Sequence, residues 1–364
     1  MTGFDEALDR IAPLDEAAMA AARDHLLELT KPPGSLGRLE ELVVLLAGIT
    51  GQAAPGVHPR AIIIAAADHG VAMRHAVSAY PAEVTAQMVA NFAAGGAAIA
   101  VLAEQVGATL TVVDVGVASP VPRVPIRASA ELRARNIRSG TRDMTEGPAM
   151  DRGEVLAAIE AGVEAAGDRI AAGARLIGIG EMGIGSTTAA SAIVAVLTGR
   201  PVAAVTGRGT GVDEAGWNLK VATIERALEV NQPDARDPLG TLEAVGGLEI
   251  AALVGTIVGA AAERVPVVLD GFITGAAALV AARLQPAIAP RLIASHRSVE
   301  RGHAIVLEAL GLRPLLELDL RLGEATGAAL AMPLLDAAVR LRDGMATFAE
   351  AGVSGPADVG VAQR

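Results

Sequence analysis

LIGIGEMGIGSTTAASAI, residues 176–193, satisfies two phosphate-loop patterns and completes neither. Gly178-x-Gly180-x-x-Gly183 has the spacing of a dinucleotide fingerprint. Gly180-x4-Gly185-Ser186-Thr187 has that of a Walker A loop with Ser186 where lysine belongs. A dinucleotide site needs an acid about 20 residues on, at the end of the next strand, to take a ribose hydroxyl. That region, Val205-Thr206-Gly207, holds none. A nucleoside-triphosphate site needs the lysine that neutralises the β- and γ-phosphates. What remains is a strand running into glycines with bare backbone N–H groups, then a helix opening at Ser186-Thr187-Thr188. Free amides, hydroxyls and a positive helix end together suit one small anion. A tight strand-to-helix turn, whose glycines only permit close packing, explains the same residues.

Working outward, short β-branched runs alternate with Ala-rich helical stretches. The runs are 61–67, 109–115, 175–180, 201–207, 265–271 and 291–295. They are apolar on both faces, as strands covered by helices on each side must be. Helical periodicity fills the intervals, for example 84–105 and 215–230. The alternation predicts an α/β fold, a doubly wound and mostly parallel sheet of about six strands. Residues 56–324 are expected to form this large domain. Residues 1–55 and 325–364 read as mainly helical and are expected to make a small domain from both chain ends. The Arg- and Pro-rich stretch 117–150 lacks clear periodicity and reads as a long loop.

Polar residues collect at one edge of that sheet. Asp68-His69-Gly70, Asp114-Val115-Gly116, Gly180-Glu181-Met182-Gly183, the 206–211 loop, Asp270-Gly271 and Ser295-His296 all follow or end a predicted strand. Ligands of open α/β sheets bind outside the carboxyl ends of the strands, so the pattern favours an enzyme.

TGRGTGVD, 206–213, repeats the glycine design and ends on Asp213, a suitable helix cap. On the helix that follows, Trp217, Val221, Ile224 and Leu228 form the expected buried stripe, with Lys220 at its border. Lys220 is then either the missing counter-charge for an anion or an ordinary solvated lysine. VVLDGFITG, 267–275, has the acid-after-strand and Thr-Gly of a phosphoribosyl-pyrophosphate loop, but Asp270 stands alone where two acids are usual. That hints at ribose phosphate without supporting pyrophosphate and magnesium. The six histidines show no metal-ligand spacing. His69 and His296, at strand ends, read either as polar site residues or as satisfied structural ones.

Composition narrows the classes. Of 364 residues, 52% are hydrophobic but only 2% aromatic, so the core must be Ala, Val, Ile and Leu packed around 41 glycines. A net charge of −11 argues against tracking a nucleic-acid backbone. Without cysteine there is no thiol nucleophile, disulfide or thiolate metal site. The N-terminal stretch is acidic and helix-like, without the basic and apolar regions of a signal peptide. The longest uncharged apolar window, 250–262, is too short to span a bilayer. A cytoplasmic protein without membrane partners is expected.

Several stretches in order now carry a resemblance: TKPPGSLGRLEEL (30–42), AADHGV (66–71), YPAEVTAQM (80–88), GIGEMGIGSTTAASAI (178–193), GRGTGVD (207–213), LDGFITGAAAL (269–279), SHRSVERGH (295–303) and LRLGEATGAALA (320–331). Over nearly its whole length the chain resembles the nicotinate-nucleotide:dimethylbenzimidazole phosphoribosyltransferases, which make the lower-ligand nucleotide of cobalamin. The departures are Ser186, where Asn is frequent, and Ala325-Thr326, where Gly-Ser or Gly-Thr is usual. The resemblance implies a homodimer, a Rossmann-like large domain and no cofactor or metal. It implies transfer of phosphoribosyl from nicotinate mononucleotide to 5,6-dimethylbenzimidazole, with Glu324 as general base and Glu181 on the ribose and reaction-centre side. Gly183, Gly185, Ser186, Gly209, Thr210 and Lys220 fall around the phosphate and ribose, and Tyr80, Gln87 and Met88 near the base. The pattern also leaves open a different acceptor base, or a non-catalytic binder of nucleotides or azoles on the same scaffold.

Overall fold

In the computed structural model, which describes residues 3–355, six strands form one sheet. They are β1 (Arg60–Ala67), β2 (Ala108–Gly116), β3 (Ala130–Ala134), β4 (Leu176–Met182), β5 (Val267–Leu269) and β6 (Leu292–Ala294). All pairings are parallel and the order is β3-β2-β1-β4-β5-β6. This is the doubly wound Rossmann order, whose direction reverses between β1 and β4. Every residue of β1 and β4 is buried, as continuous apolar strands under two helical layers should be.

Two strand expectations fail. Residues 201–207 are not a strand: Pro201 caps a one-turn helix, Val202–Val205, and Thr206 Oγ1 donates back to Val202 O. Val202 and Val205 share the buried face of that turn, and so short an apolar run fits either period. The sixth strand instead lies inside 117–150, where a loop was expected. β3, AELRA, pairs with β2 at the sheet edge and is half-exposed. Its Arg133 pairs with Glu131 and with Asp168. Charges at an edge strand hide it from any hydrophobic pattern and also protect the open edge. The run 84–105 is two helices, Val84–Ala94 and Ala98–Gln105, because Gly95 turns left-handed (φ +86) and ends the first.

The near absence of aromatic side chains has a structural counterpart. The helix Leu248–Ala262 is buried along almost its whole length and crosses the helix Arg152–Ala171 backbone to backbone. A Cβ on Gly162 would overlap Ala252 O, and one on Gly255 would overlap Ile159 O. Only hydrogen fits at those two positions, so small residues replace rings as the means of filling space.

By its contacts the chain forms two compact units. One is Met1–Pro13 with His58–Met332, and the other is Leu14–Val57 with Pro333–Arg364. The helix Gly3–Arg10 therefore goes with the sheet, where Phe4 and Ala7 join the core. The second unit contains the helices Glu16–Glu28 and Arg38–Thr50. In it the buried Lys31 pairs with Glu40 at 2.8 Å, and Leu29 forms a bridge with Thr347.

Candidate active site

A cavity of about 440 Å³ opens beyond the carboxyl ends of β4, β5 and β6. Its wall is mostly apolar, including Val84, Met88, Met182, Ile184, Phe272, Ile273 and Leu322, and its polar groups are few. That is how a pocket for a flat apolar ligand with one charged end is built.

One polar end of the cavity is built from three elements. The helix Ser186–Thr198 starts beneath the cavity with Gly185 left-handed (φ +103) before it. Lys220 lies on the helix Glu214–Asn231, capped by Asp213, whose side chain accepts from Gly216 N. Its ammonium donates to Thr187 Oγ1 at 2.7 Å. A Cβ on Gly209 (φ +53) would lie 2.8 Å from Thr187 Oγ1 and 3.1 Å from Lys220 Nζ, so the glycine loop, the hydroxyl and the ammonium come together. Lys220 is not solvated at the border of a stripe but only 1% exposed. The buried face is Lys220, Thr223, Ile224 and Ala227, while Trp217, Val221 and Leu228 are half-buried. Burial lowers the Lys220 pKa to about 8, against a rise from the Glu300 charge.

The opposite chemistry, buried acid, gathers at the ends of β4 and β5. Glu324 and Ala325 both adopt left-handed backbone, φ +62 and +66, immediately before the helix Thr326–Gly344. Such residues cost about 1–3 kcal/mol each unless their surroundings hold them. Asp270 does so, accepting from Ala325 N at 3.2 Å and Gly327 N at 2.7 Å. Gly180 completes the fit: a Cβ there would overlap Ala325 N and lie 2.7 Å from the Glu324 carbonyl carbon. The lone acid of the 267–275 stretch therefore shapes the turn that presents Glu324. Burial, then the Asp270 charge, pushes Glu324 up to about 7. Burial pushes Asp270 up to about 6 despite its backbone bonds. Glu181 goes well above the usual carboxylate range through burial, then the charge of Glu249, with Asp270 and Glu324 adding to it.

Of the residues singled out from sequence, Tyr80, Met88, Glu181, Gly183, Ser186, Gly209, Thr210 and Glu324 line this cavity. Lys220 reaches it through Thr187, and Gly185 lies just behind, against Ala72 and His69. Gln87 is exposed and outside the wall. Two hydroxyls are engaged elsewhere: Ser186 hydrogen-bonds Glu181, and Thr210 accepts from Ala79 N at 2.9 Å, holding the Tyr80 segment. Asp68 and Asp114 shape loops, accepting from Ala118 N and Val117 N.

Several neighbours were not read from sequence. Thr187 reads from sequence as the end of the incomplete Walker pattern and as a helix start, but not as the partner of Lys220. Glu249, wholly buried, pairs with the buried His69 at 2.7 Å behind the glycine loop. The signal for it is one acid at the head of an otherwise apolar helix. His296, which reads from sequence as either a polar site residue or a structural one, lines the cavity beside Asp270, with Ser295 Oγ at 3.0 Å from its Nδ1. Glu300, at the N-cap position of the helix Arg301–Leu310 but without a side-chain bond to it, reaches the Gly209 amide.

An anion cradle and buried carboxylates in one apolar cavity are the equipment of a group-transfer enzyme for a phosphorylated substrate. Residues 11–353 match the phosphoribosyltransferase family, and the chain belongs to it. It is 58% identical over 354 residues to the nicotinate-nucleotide–dimethylbenzimidazole phosphoribosyltransferase of Chloroflexus aggregans, covering 97% of this chain and 99% of that protein. It is 57% identical to the protein of the same name from Roseiflexus sp., over 98% of this chain and 99% of the other. Among solved structures it resembles CobT from Thermus thermophilus, with a TM-score of 0.87 and 47% identity over 93% of this chain and all of that one.

Proposed function

We propose that the protein transfers the phosphoribosyl group of nicotinate mononucleotide to 5,6-dimethylbenzimidazole, giving α-ribazole 5′-phosphate and nicotinate. The names of its relatives support the substrates. The observation that carries the mechanism is Glu324, held in a strained turn and shifted to about 7, in the same apolar cavity as the Gly209–Thr187 cradle served by Lys220.

Nicotinate leaves as a pyridine from a pyridinium, so its departure needs no proton donor. The base attacks C1′ through its unprotonated ring nitrogen from the opposite face, turning a β-nucleotide into an α-product. Its second ring N–H becomes acidic as that bond forms. Glu324, with a pKa near neutrality, is the carboxylate suited to take the proton, a role worth about 10²–10⁴ in rate. Glu181 sits next to it: a Cβ on Gly323 would be 3.1 Å from Glu181 Oε1. An arriving pyridinium ribosyl group is the cation that would favour the ionised form of Glu181 and be stabilised by it in return. Lys220, Thr187 and Gly209 anchor the phosphate, so binding energy remote from C1′ aligns the reactants. Val84, Met88, Tyr80 and Leu322 offer the base an apolar seat. The working form is a cytoplasmic homodimer.

The test is release of nicotinate from its mononucleotide by the purified protein. Release that depends on dimethylbenzimidazole supports the reading. Release with another azole, purine or phenol alone would assign a different acceptor, and binding of both compounds without release would make the protein a carrier.

A further inference from the structure

Among the described residues, Glu300 is the acid that reaches the Gly209 amide. Its Oε1 accepts from that amide at 3.0 Å, and Gly209 is the glycine beside which Lys220 and Thr187 come together. Its Oε2 is buried without a hydrogen-bond partner and lies where a Cβ of Gly207 would be. Among the described residues no carboxylate forms an ion pair with Lys220, yet that ammonium is buried, and Glu300 is the acid whose charge acts on it. A buried cation needs a counter-charge, and a buried carboxylate oxygen without a donor is itself unfavourable. A phosphomonoester on the Gly209 amide would supply the first and could not share the amide with a second anion.

We propose that Glu300 is a displaceable internal counter-anion: in the empty enzyme it takes the Gly209 amide that the phosphate takes in the complex, and so sets the affinity of the cradle for phosphomonoesters. This rests on the Gly209–Thr187–Lys220 cradle being the phosphate site, as the proposed function requires. Glu300 opens the helix Arg301–Leu310, and its own amide contacts Ser298 Oγ at 3.3 Å, so its side chain can swing away without unwinding the helix. Phosphate then competes with a tethered carboxylate. The observed affinity is the intrinsic one reduced by the fraction of molecules whose amide is free.

The test compares wild type with Glu300→Gln, which keeps the shape and removes the charge, and with Glu300→Ala, which vacates the amide. Inorganic phosphate binding is followed by calorimetry, and KM for nicotinate mononucleotide by nicotinate release. Both variants should bind phosphate more tightly, by roughly threefold or more, and lower the nucleotide KM in step, with KM for the base unchanged. Lys220→Met should abolish the phosphate binding and so place it in the cradle. Weaker nucleotide binding with unchanged phosphate affinity would make Glu300 a ribose ligand and overturn the proposal. A lowered Tm with unchanged phosphate affinity would make it only a structural residue, with the same consequence. No phosphate binding by any of these proteins would also overturn it. Tighter phosphate binding in the variants of a protein that releases no nicotinate would leave Glu300 in this role and remove the proposed reaction.

Discussion

Asp270 Oδ1 accepts from the Gly327 amide at 2.7 Å, and its Oδ2 accepts from the Ala325 amide at 3.2 Å. One buried carboxylate thus closes the left-handed turn that carries Glu324. Two strained residues in succession would relax without it, and Glu324 would lose its aim.

Asp270→Asn replaces one accepting oxygen by an amide that confronts an N–H. The variant should fold, keep its nucleotide KM within about twofold, and lose roughly 10- to 100-fold in kcat, the penalty of a misplaced catalytic group. Steady-state kinetics with both substrates varied checks this. An unchanged kcat would mean that the turn is held by other contacts.

Lys220→Met keeps the apolar stem of a buried side chain and removes its charge. A lost charge-assisted hydrogen bond is worth about 1.5–3 kcal/mol, so KM for the mononucleotide should rise about 10- to 100-fold. KM for dimethylbenzimidazole should hardly move, and nicotinate riboside, which lacks the phosphate, should react equally well with both enzymes. A variant impaired equally with the riboside would place Lys220 outside the phosphate site.

The pH dependence follows from two groups. Glu324 accepts a proton only when ionised, and its pKa is raised to about 7. Lys220 binds phosphate best when charged, and its pKa is lowered to about 8. The profile of kcat/KM for the nucleotide should therefore rise through about 7 and fall beyond about 8. In Lys220→Met the alkaline limb should vanish while the acid limb stays. A profile flat between pH 6 and 9 would contradict both assignments.

The same shift affects stability. Because the folded pKa of Glu324 is raised from 4.5, its contribution is fully present below about pH 4.5 and is lost as pH rises through about 7. At pH 8 the enzyme holds a buried charge that Glu324→Gln does not. That variant should be more stable at pH 8, by on the order of 1–3 kcal/mol, with the gain shrinking towards zero near pH 4.5. Thermal or urea unfolding at the two pH values measures it. A variant less stable at pH 8 would show that the carboxylate is better satisfied than its burial implies.

Much of this architecture is visible in the residues because burial on both faces leaves a direct trace. β1, β2, β4, β5 and β6 are apolar runs, and the glycines after β4 and before Asp213 show where backbone must be bare. β3 leaves no such trace, since Glu131 and Arg133 serve solvent and ion pairs at an open edge. Val202–Val205 misleads because four apolar residues fit a strand as well as a helical turn. Within the site, Glu324, Glu181 and Lys220 all stand out in the sequence, but the burial of Lys220 on Thr187 does not: a periodic stripe assigns faces by hydrophobicity and cannot show a cation sealed beneath a loop. Glu249, Asp270 and Glu300 act through partners 180, 57 and 91 residues away, His69, Gly327 and Gly209, and only the fold brings them together.

The most direct measurement is a single turnover of nicotinate mononucleotide with excess enzyme and saturating dimethylbenzimidazole, comparing wild type with Glu324→Gln and measuring nucleotide affinity separately. Nucleotide affinity should stay within about twofold and nicotinate release should slow about 10²–10⁴-fold, the worth of a general base. Release at the wild-type rate, or a loss explained wholly by weaker nucleotide binding, would contradict that role for Glu324.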